Sequence, residues 1–269
     1  MPENFKLDFA IIGAQKASTT ALASYLSQHP QLYLPETKET HFFRRPIKEE
    51  KMLDRNIEHL TRHYTGRLAG QKCGDATPAY IYWPGSLELL HAHNSQILSI
   101  LSVRNPVWRA YSAWSMEVRR GRETLPFSDA IRAGRSRVTS APFGIHPTFS
   151  YVERGFYFTQ AIRCLEVFPR SQIFALRSDQ VRATDTRMSE LLGFLGVDAF
   201  QFSPIEENMH PGIFEMAPGL QSDFDYLYDL FIEDMHDFQQ LGLIDISDWL
   251  VGPPSVDVAI RRADGARYA

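Results

Sequence analysis

The chain has 269 residues, of which 44% are hydrophobic, and its formal net charge is −4. A chain of this size can bury one large core, so we predict a single domain over residues 1–251 and a tail over residues 252–269. The acidic balance argues against nucleic acid as a partner, because domains that bind nucleic acid usually carry an excess of basic residues. No apolar run reaches the length of a membrane span, and two cysteines provide no disulfide framework, so we predict a cytoplasmic protein.

Short apolar runs typical of strands alternate with helical patterns along the chain. The predicted strands lie near residues 9–13, 31–34, 70–74, 97–103 and 172–176. The predicted helices lie near residues 19–29, 85–93, 107–120, 156–168, 185–195 and 222–241. This alternation predicts an α/β three-layer sandwich, with a central parallel sheet and helices on both faces. Residues 121–150, with three prolines and few apolar periods, are predicted to form a variable loop.

The first strand, turn and helix, at residues 8–29 (DFAIIGAQKASTTALASYLSQH), have the pattern of an anion-binding site. Gly13 ends the apolar run, and Lys16 adds a positive charge to the turn. Three hydroxyls follow at the predicted helix start: Ser18, Thr19 and Thr20. Unpaired N–H groups and the positive end of the helix dipole favour a phosphate there. Capping alone would explain the hydroxyls but does not require the lysine. The turn differs from the nucleoside triphosphatase P-loop, because Ala17 follows the lysine.

A second basic segment, RNPVWRAYSAWSM, begins where the predicted strand over residues 97–103 ends. The guanidinium of Arg104 can neutralise a phosphate without a metal ion. Pro106 suits an early position of a helix, which places Ser112 about two turns further along at roughly 3.6 residues per turn. Arg104 and Ser112 can therefore contact one ligand only if it lies along the start of this helix.

A third segment, TKETHFF at residues 37–43, combines a carboxylate and an imidazole. Glu39 and His41 are two residues apart, so in an extended chain they project to the same side, whereas Lys38 points away from them. Such a pair is suited to accept a proton from a hydroxyl.

Taken together, these motifs resemble those of sulfotransferases that use 3'-phosphoadenosine 5'-phosphosulfate (PAPS). The pattern is most similar to that of bacterial members and of sulfotransferase domains that act on heparan sulfate. Further matches are ATPAY at residues 76–80, RGFYFTQAIRCLEVFP at residues 154–169 and the late DISDW, so the resemblance covers nearly all of residues 9–249. It implies a P-loop-like fold. It assigns the 5'-phosphosulfate to five consecutive residues, Lys16, Ala17, Ser18, Thr19 and Thr20, and the 3'-phosphate to Arg104 and Ser112.

The same resemblance implies the catalytic roles. Lys16 is the cation for the leaving phosphate, Glu39 is the general base, and His41 orients Glu39 or the acceptor. A histidine is the base in the cytosolic branch of the family, so the reverse assignment stays open. The loop after Pro204 resembles one that closes over the nucleotide, with Asn208 and His210 as contacts. No metal is expected, and the product is adenosine 3',5'-bisphosphate (PAP).

The predicted acceptor is a hydroxyl of a carbohydrate or a small secondary metabolite, with Thr77, Tyr80 and Trp83 as contacts beside Glu39. Heparan sulfate members carry a lysine at the position of Ala76, and its absence disfavours a heavily sulfated glycan. Two alternatives remain: a nucleotide-dependent kinase of related P-loop architecture, which would need magnesium, and a nucleotide-binding protein without catalysis. The sequence leaves the oligomeric state open.

Overall fold

The computed structural model describes residues 5–44, 57–141, 144–205 and 219–256. Asn208 and His210 lie outside these ranges. The chain divides into two compact units, of which the first contains Met1–Val103 and Gln160–Glu207 and the second contains Arg104–Thr159 and Asn208–Ala269. That residues 1–251 act as one domain stays a prediction.

The first unit contains a sheet of five parallel strands. These are β1 (Phe9–Gly13), β2 (Leu32–Tyr33), β3 (Lys72–Asp75), β4 (Leu98–Val103) and β5 (Ile173–Arg177), in the order β2-β3-β1-β4-β5. The predicted α/β fold with a central parallel sheet is confirmed. Every residue of β1 is buried, as expected for a strand covered on both faces.

The described residues include seven α-helices whose bounds follow. They are α1 (Thr19–Leu26), α2 (Ser86–His93), α3 (Pro106–Arg119), α4 (Phe127–Thr139), α5 (Tyr157–Val167), α6 (Thr186–Leu195) and α7 (Leu220–Gln240). Within the first unit, one face of the sheet presents Phe9 and Ile100 to a core that also contains Leu22 of α1 and Leu191 of α6. This core fixes the start of α1 against the carboxyl end of β1.

Strand order determines where a ligand can bind in the first unit. From β1 the chain continues to β2 and β3 on one side of the sheet and then to β4 and β5 on the other. Ligands of parallel α/β sheets bind beyond the carboxyl ends of the strands, where the order reverses. The turn after β1 and the residues after Asp75 of β3 therefore lie at the expected edge of the sheet.

The second unit is helical in its described part, with α3 in contact with both α4 and α7. Helix α4 corrects the prediction that residues 121–150 form a loop throughout. Five residues of α4 recur at helical spacing and are buried: Phe127, Ala130, Ile131, Gly134 and Val138. Pro126, one of the prolines that suggested a loop, is the N-cap residue of this helix, where it does not interrupt the helical hydrogen bonds.

Two kinds of feature are absent from the residues that the structure describes. None of the described helices combines the length and the hydropathy that crossing a bilayer requires. No cluster of three or more His, Cys, Asp or Glu side chains in the described ranges has the arrangement of a metal site.

Candidate active site

The turn after β1 is held in place by β4. The Ala14 N–H donates to the Ser102 carbonyl at 2.6 Å, and the Ser102 hydroxyl donates to the Ala17 carbonyl at 2.6 Å. Glycine is required at Gly13 because a Cβ there would lie 2.4 Å from Cγ2 of Ile81. Gly13 is thus needed because a side chain would collide with Ile81, not because of its backbone conformation. The predicted anion-binding turn consequently has a backbone that is fixed before any ligand arrives.

The predicted hydroxyls do lie at the start of α1. Lys16 and Ser18 adopt left-handed backbone conformations, with φ of 73° and 56°. Ser18 occupies the N-cap position, but its side chain makes no capping hydrogen bond. Thr19 is buried, whereas Thr20 is exposed. Because the Ser18 hydroxyl does not cap the helix, capping does not account for it, and the helix start keeps the character of an anion-binding site.

The segment after β2 bends at residues 36–38 and brings three ionisable side chains together. The Lys38 ammonium donates a hydrogen bond to Oγ1 of Thr20, and its Nζ lies 3.7 Å from Oε1 of Glu39. Oε2 of Glu39 lies 3.3 Å from Nε2 of His41. The prediction that Lys38 points away from Glu39 is wrong, because it assumed an extended chain and the backbone bends there. Sequence reasoning did not place Lys38 beside Glu39 and Thr20.

His41 and Arg44 are the other two basic side chains that interact with the Glu39 carboxylate. His41 has a φ of 51°, and its N–H donates to Oγ1 of Thr77 at 3.4 Å. The guanidinium of Arg44 lies 4.5 Å from the ring centre of Trp83, which is half-buried. Burial lowers the pKa of Arg44, and the negative charge of Glu39 opposes that shift. The Glu39 carboxylate therefore lies beside Lys38 and His41 and interacts electrostatically with Arg44.

A buried carboxylate anchors this segment to the sheet. Asp75, at the end of β3, has no exposed surface and accepts hydrogen bonds from Thr40 at 2.5 Å, Thr77 at 2.7 Å and Tyr80 at 2.7 Å. Burial raises the pKa of Asp75, and the three hydroxyl donors oppose that shift. Since Thr40 stands between Glu39 and His41, its bond to Asp75 fixes the position of both.

This arrangement bears on two predicted acceptor contacts. Thr77 and Tyr80 are buried, and their hydroxyls donate to Asp75. The Tyr80 hydroxyl also accepts from the Phe43 N–H at 3.4 Å. In this structure both side chains support the segment that carries Glu39, and their contact with an acceptor stays a prediction.

Replacing Tyr80 by phenylalanine should lower the free energy of unfolding by about 2 kcal/mol, because Asp75 then loses one donor to a buried, charged group. Urea denaturation measures the change. Tyr33→Phe is the matched control, since the Tyr33 hydroxyl makes one long contact of 3.5 Å with a neutral carbonyl. Equal stability losses in the two variants would contradict the role given to Asp75.

The predicted 3'-phosphate residues belong to the second unit. Arg104 is half-buried, and its backbone is held in both directions by Tyr157. The Tyr157 hydroxyl donates to the Arg104 carbonyl at 2.7 Å and accepts from the Arg104 N–H at 3.4 Å. Burial raises the pKa of Tyr157 to about 12, so the hydroxyl keeps its proton. Ser112 lies in α3 and is half-buried.

The start of α3 agrees with its sequence pattern. Pro106 is the first residue of the helix, and Oδ1 of Asn105 accepts from the Val107 N–H at 3.1 Å. The side chain of Asn105 thus caps α3, and Arg104 precedes the cap. Arg104 thus lies just before the helix and Ser112 lies within it, as the sequence pattern predicts.

The fold is that of an α/β protein in which the turn after β1 leads directly into a helix start. No family model matches the chain. The chain is 31% identical to the membrane-associated sulfotransferase kil1 of Dictyostelium discoideum over 114 residues, which are 41% of this chain and 23% of that protein. It is 26% identical to heparan sulfate glucosamine 3-O-sulfotransferase 6 of Mus musculus over 171 residues, which are 64% of this chain and 46% of that protein.

A solved structure is similar over most of the chain. The crystal structure of a sulfotransferase from Alicyclobacillus acidocaldarius has a TM-score of 0.76 and 29% sequence identity, and the match covers 91% of this chain and 99% of that chain. These similarities support the resemblance of this chain to sulfotransferases. It spans less than half the length of the two curated relatives named above.

Proposed function

We propose that this protein transfers a sulfuryl group from PAPS to a hydroxyl of a carbohydrate or a small molecule. The observation that carries this proposal is the hydrogen bond from Lys38 to Thr20. It connects the segment of Glu39 and His41 to the helix start that follows Lys16. A group suited to accept a proton and a turn suited to bind an anion are thus joined within the first unit.

The donor is an anion at both ends, and the residues present fit it. At the 5' end, the turn over residues 14–18 and the start of α1 supply Lys16, backbone N–H groups and the hydroxyls of Ser18 and Thr20. For the 3'-phosphate we propose Arg104 and Ser112, on the strength of the sequence motif. Tyr157 supports this role because it holds the Arg104 backbone from both sides. Asn208 and His210, outside the described residues, stay proposals from the motif alone.

The chemistry requires a cation at one end and a base at the other. The bond between sulfur and the bridging phosphate oxygen breaks, a bond between sulfur and the acceptor oxygen forms, and the acceptor loses its proton. Lys16 neutralises the negative charge that grows on the leaving phosphate. Glu39 takes the proton, and His41, 3.3 Å from it, orients the carboxylate. The reverse assignment, with His41 as base, is the alternative that a variant must decide.

We propose that the acceptor binds beside Trp83. Trp83 presents a half-buried aromatic ring close to the Arg44 guanidinium, and that guanidinium interacts electrostatically with Glu39. An aromatic face beside a cation suits a hydroxylated ring. Ala76 is buried and carries no charge, which favours an acceptor without dense sulfation.

A transfer assay tests the proposal directly. The protein is incubated with PAPS labelled in the sulfuryl group, a panel of sugars and phenols, and EDTA. We expect labelled sulfate ester and PAP to form in equal amounts with the chelator present. A parallel incubation with labelled ATP and magnesium in place of PAPS and EDTA tests the kinase alternative, which phosphate transfer there would support. Binding of PAP without transfer to any acceptor would show a nucleotide-binding protein that lacks catalysis.

Arg104→Ala should weaken the binding of PAP about 10- to 100-fold and leave the binding of adenosine 5'-phosphate nearly unchanged, because only PAP offers a 3'-phosphate to the guanidinium. Isothermal titration calorimetry with both nucleotides measures the two affinities. Arg119→Ala is the control, since Arg119 is exposed at the end of α3. The assignment fails when both nucleotides lose affinity equally.

A further inference from the structure

The Lys38 side chain lies between the two halves of the proposed reaction. On one side it donates to Thr20 in the first turn of α1. On the other its Nζ lies 3.7 Å from the carboxylate of Glu39. The side chain is only 29% exposed, so both contacts are partly shielded from water.

The position of Lys38 indicates which part of the donor it meets. In an in-line displacement the sulfuryl group passes from the donor phosphate to the acceptor oxygen. The helix start is on the phosphate side of this path, and Glu39 is on the acceptor side. A cation that contacts both the helix start and Glu39 is therefore placed beside the sulfuryl group as it is transferred. Lys16, in contrast, interacts with the donor phosphate.

The chemistry of the ammonium group permits this contact. An ammonium has three N–H donors, and the hydrogen bond to Thr20 uses one of them. Burial lowers the pKa of Lys38, and its coulombic and hydrogen-bond interactions with Glu39 oppose that shift. A partly desolvated cation interacts more strongly with an incoming anion than one in bulk water.

We propose that Lys38 is a second catalytic cation, whose ammonium binds an oxygen of the sulfuryl group while it stays bonded to Thr20 and paired with Glu39. This inference rests on the proposed function and adds a residue to it. It separates the two lysines by role: Lys16 acts on the phosphate that remains with the nucleotide, and Lys38 acts on the group that leaves it.

The test compares PAPS with PAP, which lacks the sulfuryl group. Lys38→Met removes the charge and keeps the length of the side chain, and Lys38→Arg retains a cation. Lys72→Met is the matched control, because Lys72 is also half-buried and donates to a neutral carbonyl, that of Leu195, at the amino end of β3. Calorimetry gives the affinities for PAP and, without acceptor, for PAPS. Single-turnover transfer gives the chemical rate.

We expect Lys38→Met to lower the transfer rate about 100-fold, the order found when one donor to a developing charge is removed. The affinity of Lys38→Met for PAPS should fall about tenfold, which is the change in affinity expected from weakening one charge-assisted hydrogen bond. Its affinity for PAP should change less than twofold. Lys38→Arg should recover part of the rate, and Lys72→Met should match the wild type in all three measurements.

Two results would overturn the inference. One is a transfer rate of Lys38→Met within threefold of the wild-type rate. The other is an equal loss of affinity for PAP and PAPS, which would make Lys38 a phosphate-binding or purely structural residue. Failure of the proposed function itself has a different signature, because the wild-type protein would then transfer no sulfate, and the two binding measurements would still decide whether Lys38 recognises the sulfuryl group.

Discussion

Replacing Lys16 by methionine should lower the rate of sulfuryl transfer about 1,000-fold, the upper range for removing one preorganised group that stabilises developing charge. Lys16 lies in the turn between β1 and α1, whose backbone is fixed by Ser102. The leaving phosphate gains a negative charge as the S–O bond breaks, so a cation in this turn stabilises the transition state more than the ground state.

The variant is designed so that backbone strain does not enter the comparison. Lys16 has a φ of 73°, and methionine carries the same Cβ, so both side chains tolerate that conformation equally. Transfer is measured under single-turnover conditions, and thermal unfolding checks that the fold is intact. Because Lys16 acts on the phosphate, PAP affinity should fall as well, in contrast to Lys38→Met. A transfer rate within tenfold of the wild-type rate would remove Lys16 from the mechanism.

Glu39→Gln is expected to lower kcat about 1,000-fold, within the usual contribution of a general base, because glutamine keeps the shape of the side chain and cannot take a proton. His41→Gln should cost only about tenfold, since its proposed role is to orient Glu39 across 3.3 Å. Steady-state kinetics with saturating PAPS and one active acceptor measures both variants.

The relative size of these two losses decides which group is the base. A larger loss in His41→Gln than in Glu39→Gln would assign the proton to the imidazole, as in the cytosolic branch of the family. Thr37→Ala is the control for the segment, because Thr37 lies at the bend and is exposed. Its rate should equal that of the wild-type protein.

Local patterns were sufficient for most of the sheet and for the anion-binding turn. The apolar run of β1, the glycine that follows it and the hydroxyls at the start of α1 all lie within twelve residues, so neighbouring side chains determine that geometry. Helix α4 had the same kind of signal, in the spacing of Phe127, Ile131 and Gly134. The prolines around it concealed that signal, because a proline marks the limits of a helix as readily as a loop.

The parts that required the tertiary structure are contacts between distant residues. Lys38 reaches Thr20 across 18 residues, and the bend at residues 36–38 that permits this has no periodic signal. Asp75 collects hydroxyls from Thr40 and from Tyr80, which lie 35 residues before and 5 residues after it. Local sequence patterns therefore suffice to predict the strands, most helices and the position of the basic and acidic motifs, because hydrophobic periodicity and helix-start chemistry act over short distances. Which charges meet Glu39 depends on the packed structure, since the bend at residues 36–38 and the hydrogen bond from Thr40 to the buried Asp75 place that carboxylate.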